Sequence, residues 1–453
     1  MNKFSSSVVF SLVIAASSSV ACVDRDTPTP TENVGTTVAT GMPDVGSPDT
    51  QPATEVGSEA TVANDAATDT GSADAASDSP ATDSGAEAPP EAAPVAPKLT
   101  VMSSATFDTS GAVTHLAGGP KGFAVVMEGS DSAQLATFDL TGKQLHPVAN
   151  LPDSSQGARA VAARADGSYR VQVVNYNATS FAWSMNAYSV TADGSSISPI
   201  NDDWTRYGMK TIDGRVWSAG MWFQEGDAVN TFIEFDSEQS DYSFPSQFKA
   251  QASDLGGQDV ITNWEMSKIG DVYALGVNWG LSCKNVGEPG VGTTDTASLL
   301  IFDGVSSKHA DLASYVLTDA QRNSCEIPNY FSRVMRVNGQ FLVMMSEERN
   351  GTSVASLNYV NTDATRGVWY DMPGLVDAVE FGDLGIVTLE YSLDGTLKML
   401  LRASDMSIID SVVLDGYSGL NSRSLAVGGG GVIGAYLYDT GGMHVTFKTI
   451  MFK

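Results

Sequence analysis

One pattern recurs from residue 98 to the end of the chain: a short apolar strand, a turn ending in Gly, then a longer apolar strand. The second strands read Gly122-Phe-Ala-Val-Val-Met, Gly167-Ser-Tyr-Arg-Val-Gln-Val-Val, Gly214-Arg-Val-Trp-Ser-Ala-Gly, Gly270-Asp-Val-Tyr-Ala-Leu-Gly, Gly339-Gln-Phe-Leu-Val-Met-Met, Gly385-Ile-Val-Thr-Leu-Glu-Tyr and Gly431-Val-Ile-Gly-Ala-Tyr-Leu. Their glycines step by 45, 47, 56, 69, 46 and 46 residues. A fixed period of this size means a supersecondary unit that cannot bury its apolar face alone and stacks on its neighbours. Asp166-Gly167, Asp213-Gly214, Asn338-Gly339 and Asp394-Gly395 are tight-hairpin dipeptides, in which Gly supplies positive φ.

Seven units of about 45 residues, two of them with insertions, resemble the blades of a β-propeller. In the first unit Val113–Leu116, Phe123–Glu128, Leu135–Leu140 and Gln144–Leu151 make four strands. In the sixth, Val376–Phe381, Ile386–Tyr391, Thr396–Ala403 and Ile408–Leu414 make four again. The last unit has only three: Leu425–Val427, Val432–Tyr438 and Met443–Met451. The orphan strand Leu99–Phe107 is expected to complete that blade and close the ring, which removes a free edge. The expected fold is therefore all-β, a seven-bladed β-propeller of mostly four-stranded blades over residues 98–453, preceded by a disordered linker. A pair of β-sandwiches is the rival arrangement. The Trp-Asp dipeptide of WD40 blades, the paired glycines of kelch and the spacing of sialidase Asp boxes are absent. Ser392-Leu-Asp394-Gly-Thr is a fragment of the last. The resemblance is architectural and names no subfamily.

The N-terminus reads as an address. Lys3 is followed by the apolar stretch Val8 to Ala16, then by Ser17, Ser18, Ser19, Val20, Ala21 and Cys22. Residues 1–21 have the form of a secretory signal peptide. Ser19 and Ala21 fit the small-residue rule of ordinary signal peptidase. Cys22 directly after Val20-Ala21 resembles the lipobox of bacterial lipoproteins, although Ser19 stands where that family prefers Leu. The resemblance implies lipid on Cys22 and an anchor in the bacterial cell envelope, at the outer membrane or cell surface.

Residues 23–97 contain no Leu, Ile, Phe, Tyr or Trp, and carry fourteen acids against Arg25 alone. Such a segment buries too little apolar surface to offset an ordering entropy of ~1–2 kcal/mol per residue. Like charges extend it and Pro stiffens it, so residues 22–97 read as a lipidated Cys and a disordered tether. Three cysteines are present. With Cys22 lipidated, Cys283 and Cys325 remain, and an exported protein can oxidise them to one bridge. Free buried thiols are the alternative.

The 453 residues hold 53 acidic and 25 basic side chains, a formal charge of −28. That excludes a nucleic-acid binder held by a general basic surface, and adhesion to anionic lipid by charge. Membrane contact is expected through the N-terminal lipid only, and the chain is expected to be monomeric. The four His (His115, His146, His309 and His444) lie in different units without paired spacing, so no metal and no cofactor are expected. No Gly-x-Ser-x-Gly elbow, Walker loop or calcium loop appears, and no carboxylate pair is singled out.

Candidate binding residues follow from aligning the units on their Gly. Eight residues back lie Thr114, Arg159, Arg206, Thr262, Phe331, Asp377 and Arg423; six back, on the same face by the two-residue period, lie Trp264 and Arg333. Arg159, Arg206, Arg333 and Arg423 near one axial opening suit a carboxylate or phosphate, with Asp377 pairing one of them. Solvated strand-end charges are the plainer explanation. The long segments 280–297 and 318–330 belong to one face of neighbouring blades and carry Cys283 and Cys325. Trp217, Trp222, Trp264 and Trp279 cluster in units three and four, mostly as inter-blade core, and an exposed ring there would suit a sugar.

Two functions fit. The first is a non-enzymatic tethered lipoprotein whose propeller binds a protein or glycan. The second is a secreted propeller hydrolase or lyase acting on an anionic glycan or small ester at the axial face. The fold hosts both.

Overall fold

The computed structural model describes residues 98–107, 113–129, 131–155, 157–177, 182–200, 208–223, 231–237, 246–251, 260–279, 294–316, 318–320, 329–349, 352–419, 424–439 and 445–452. These form β-strands in seven antiparallel sheets.

Strand β1 is Leu99–Phe107. Blade 1 consists of β2 (Val113–Gly119), β3 (Gly122–Met127), β4 (Gln134–Asp139) and β5 (Gln144–Asn150). Blade 2 is β6 (Ala158–Ala163), β7 (Tyr169–Asn177), β8 (Ala182–Val190) and β9 (Ile197–Ile200). Blade 3 is β10 (Gly208–Ile212), β11 (Arg215–Phe223), β12 (Thr231–Ser237) and β13 (Ser246–Gln251). Blade 4 is β14 (Val260–Ile269), β15 (Val272–Trp279), β16 (Thr294–Phe302) and β17 (Ser307–Val316). Blade 5 is β18 (Asn329–Val337), β19 (Gln340–Arg349), β20 (Thr352–Val360) and β21 (Arg366–Asp371). Blade 6 is β22 (Leu375–Glu380), β23 (Ile386–Tyr391), β24 (Leu397–Arg402) and β25 (Ile408–Val413).

Blade 7 is composite. Its inner strands are β26 (Tyr417–Gly419) and β27 (Leu425–Val427), both paired with β28 (Val432–Asp439). Next comes β29 (Val445–Phe452), and β1 is the outermost strand. The orphan N-terminal strand thus completes the last blade, as its sequence position predicts. The ladder runs from Leu99 opposite Phe452 to Phe107 opposite Val445.

The first strands of successive blades neighbour one another in the order β2, β6, β10, β14, β18, β22, β27 and back to β2. That closed cycle is the propeller. Each seam holds its own apolar cluster. Val126, Leu135, Tyr169 and Val173 lie between blades 1 and 2, and Leu99, Leu389, Leu401 and Ile433 between blades 6 and 7. At the closing seam Phe123, Phe138 and Phe447 pack together, with Phe138 and Phe447 stacked at 4.3 Å. Backbones also meet there: a Cβ on Gly118 would lie 2.2 Å from the Val427 carbonyl oxygen, so only Gly fits.

Alternating strand direction gives the propeller two unlike faces. First-to-second and third-to-fourth turns share the lower face. Second-to-third turns and the links between blades share the upper one. The described lower connections are short. Asp213-Gly214 and Asn338-Gly339 are two-residue turns with positive φ at both positions, as those dipeptides predict. In the third-to-fourth turns Asp139, Asp193, Asp303, Asp363 and Asp405 each accept a backbone N–H two residues on. On the upper face, fourteen residues separate β15 from β16 and twelve separate β17 from β18. Those two connections account for most of the excess length in the 69-residue interval.

Candidate functional site

The inner strands decide what reaches the axis. Five of them carry a register shift near their upper ends, between Val113 and His115, Ala158 and Ala160, Thr262 and Met266, Phe331 and Arg333, and Leu375 and Asp377. A bulge breaks the two-residue alternation. The simple period places the residues eight and six positions before the Gly on one face; in blade 5 the bulge falls between them and overturns that, whereas in blade 6 it lies before Asp377 and leaves Asp377 and Val379 in step. Phe331 is buried in the seam between blades 4 and 5, over Gly276, while Arg333 turns toward Asp377.

The structure brings together two of the candidate residues. The Arg333 guanidinium donates from Nε and Nη2 to both oxygens of Asp377, each at 2.9 Å. Asp377 is fully buried and also accepts the Leu425 N–H at 2.8 Å and the Ala378 N–H at 2.8 Å. Nη2 of Arg333 donates to the Leu425 carbonyl at 3.0 Å. Burial works against the Arg333 charge, but the field and hydrogen bonds of Asp377 outweigh it, and its pKa lies above the ordinary arginine value.

The same offset of 44 residues recurs one turn lower. Arg336 donates to Glu380 Oε1 at 2.8 Å through Nη2 and to Oε2 through its backbone N–H at 3.0 Å. Its Nη1 donates to Asp213 Oδ1 at 2.6 Å. Burial opposes the Arg336 charge too, and Glu380 and Asp213 reverse the balance. Lys210 of β10 donates from Nζ to the Val334 carbonyl of β18. Burial lowers the Lys210 pKa, against the opposing fields of Glu380 and Glu265.

Three of these contacts skip a blade. Lys210 to Val334 and Arg336 to Asp213 join blades 3 and 5, and Arg333 to Leu425 joins blades 5 and 7. Non-adjacent blades come within side-chain reach only around the axis, so the cluster crosses the centre of the ring. Lys210, Arg336, Glu380 and the second role of Asp213 were not singled out in the sequence. Pairs at constant offset in consecutive units, 333 with 377 and 336 with 380, were the available signal.

The other candidates divide. Arg159 sits at the blade 2 bulge, half-buried, with no ion pair or side-chain hydrogen bond to a described residue. Trp264 lies on β14, and its side chain falls outside the described residues. Arg206, Arg423, Cys22, Cys283 and Cys325 lie outside them, as do the signal peptide and the linker. Of the two long segments, 294–297 belongs to β16 and 329–330 to β18. His115 is buried. Trp217 is inter-blade core, tilted against Tyr273 at 5.2 Å. No group of three metal-ligating side chains occurs among the described residues.

No protein-family model matches the chain, and no curated protein matches it. Solved structures do resemble it. The β-propeller domain of the Trilobed protease from Pyrococcus furiosus aligns over 76% of this chain and 94% of its own, with 10% identity and a TM-score of 0.44. The WD40 domain of Toxoplasma gondii coronin aligns over 80% and 88%, with 6% identity and a TM-score of 0.41. The α-L-arabinofuranosidase Arb93A from Fusarium graminearum aligns over 65% and 92%, with 12% identity and a TM-score of 0.38. At such identities the likeness is one of fold alone.

Proposed function

We propose that the chain is an exported bacterial lipoprotein, lipidated at Cys22 and held by residues 23–97, whose propeller binds a protein or glycan partner at its upper face without chemical turnover. The asymmetry of the two faces carries this reading. Residue 98, where the tether joins, precedes the lower end of β1, because Leu99 lies opposite Phe452 and β28 starts at that same end. The long connections join strand ends on the opposite face. An attachment point at one face and long connections at the other suit display away from an anchoring surface.

The axial cluster holds the ring together and is not itself the binding site. Arg333, Arg336 and Lys210 are each committed to protein acceptors, so they are not waiting for a substrate anion. Arg159, at the upper end of β6 and with no ion pair among the described residues, is our candidate for an anionic group of the partner, and Trp264 for a sugar ring.

The test applies the purified full-length chain to a glycan array and to a panel of anionic glycans and small esters. Saturable binding without turnover, weakened in Arg159→Ala, is the expected result. Product formation from any of these substrates would replace this reading with the hydrolase or lyase.

A further inference from the structure

We propose that Arg333 and Asp377 form a second closure of the ring, which holds blade 7 in place independently of the β1–β29 ladder. Blade 7 is the one blade assembled from both ends of the folded chain. Its innermost strand, β27, is only three residues long. An ordinary hairpin ladder gives so short a strand little purchase. Its first residue, Leu425, instead has both backbone groups captured by side chains. The N–H goes to Asp377 Oδ2 of blade 6, and the carbonyl accepts from Arg333 Nη2 of blade 5. The two side chains are locked to each other by the fork, so Leu425 is bound to one rigid unit spanning two blades.

The position matters because β1 is also the strand that joins the tether. Any pull transmitted through residue 98 acts first on the end of the ladder where Leu99 meets Phe452. That end opens like a zipper, one pair at a time. The axial clasp lies at the opposite, inner edge of the same blade, across β28 and β29. Fraying of β1 therefore leaves β27 fixed to blades 5 and 6, and blade 7 remains a template on which β1 re-forms. The importance of a pull rests on the tethered reading, whereas the double closure itself does not.

Hydrogen exchange on the full-length chain tests the idea with four proteins. They are wild type, the ladder variant Ser104→Pro with Ala105→Pro, Asp377→Asn, and the combination. Adjacent strand residues point their N–H groups to opposite sides, so one of the two prolines removes a ladder donor whichever way the strand faces. The ladder variant is expected to expose β1 and β29 while β27 and β28 stay protected. Asp377→Asn alone should change β28 little. The combination should lose β27 and β28 protection by about tenfold beyond the product of the single effects, as for coupled sites. A multiplicative result would overturn the proposal. So would loss of β27 and β28, or failure to fold, in the ladder variant alone, since closure would then rest on β1. Exposure of blade 7 by Asp377→Asn with β1 intact would also overturn it, because the clasp would then be the primary closure. None of these outcomes depends on lipidation, so the proposal and the tethered reading fail separately.

Discussion

Leu99 and Phe452 are directly opposed in the β1–β29 ladder, so the two ends of the folded chain meet on the lower face. Leu99 is buried in the seam between blades 6 and 7, among Val379, Leu389 and Ile450. Its backbone N–H is held by Asp410 of β25. Leu99→Ala should cost about 2–5 kcal/mol, the usual range for a buried leucine. Urea unfolding followed by tryptophan fluorescence measures it. A change below about 0.5 kcal/mol, the scale of a surface substitution, would contradict the closing role of β1.

Gly118 and Gly276 give a graded test of seam packing. A Cβ on Gly118 would run into backbone, the Val427 carbonyl, at 2.2 Å. On Gly276 it would meet the Phe331 ring at 2.7 Å, and a side chain can shift. Gly276→Ala should cost about 1–3 kcal/mol, as overpacking does, and Gly118→Ala more. Denaturant midpoints in that order support the tight closing seam; the reverse order contradicts it.

Two turn aspartates, one on each face, predict acid sensitivity. Hydrogen bonds from the Thr191 hydroxyl and the Ser195 N–H hold Asp193 at a pKa of about 2, and those from the Ser392 hydroxyl and the Thr396 N–H hold Asp394, in an upper-face turn, at about 2. The folded values lie below the ordinary 3.8. The folded state therefore binds fewer protons, and this stabilisation is complete above the ordinary value and lost as pH falls toward the folded one. Asp193→Ala with Asp394→Ala should lose less stability than wild type on acidification through that window. Parallel melting curves at every pH would contradict the assignment.

Lys210 predicts the opposite end of the scale. Its folded pKa lies below the ordinary 10.5 because burial disfavours the ammonium. Between the two values the unfolded chain binds the extra proton, so this group adds stability as pH rises. Wild type should gain on Lys210→Met across the approach to 10.5. A constant difference between the two would show that the axis does not strain the charge.

The blades were legible because their period is carried by glycines and apolar runs, which are local. Ile386–Tyr391 in blade 6 was placed to the residue. The closing strand was legible by elimination, since Leu99–Phe107 had no unit and the last unit lacked a strand. The Arg333–Asp377 pair was half legible: its residues were in view, but the bulges that aim them are irregularities of pairing, invisible to a two-residue period. The cross-axis bonds of Lys210 and Arg336 were not legible. They join residues 124 and 123 positions apart, and only the closed ring brings those strands face to face.

The intact mass of the protein from its native membrane fraction, before and after reduction with alkylation, tests the central claim most directly. The tethered-display account predicts a chain beginning at Cys22 with a diacylglyceryl group and an acyl chain. It also predicts two further thiols, Cys283 and Cys325, that react only after reduction. A soluble chain with Cys22 unmodified would contradict the anchor and favour the secreted enzyme instead.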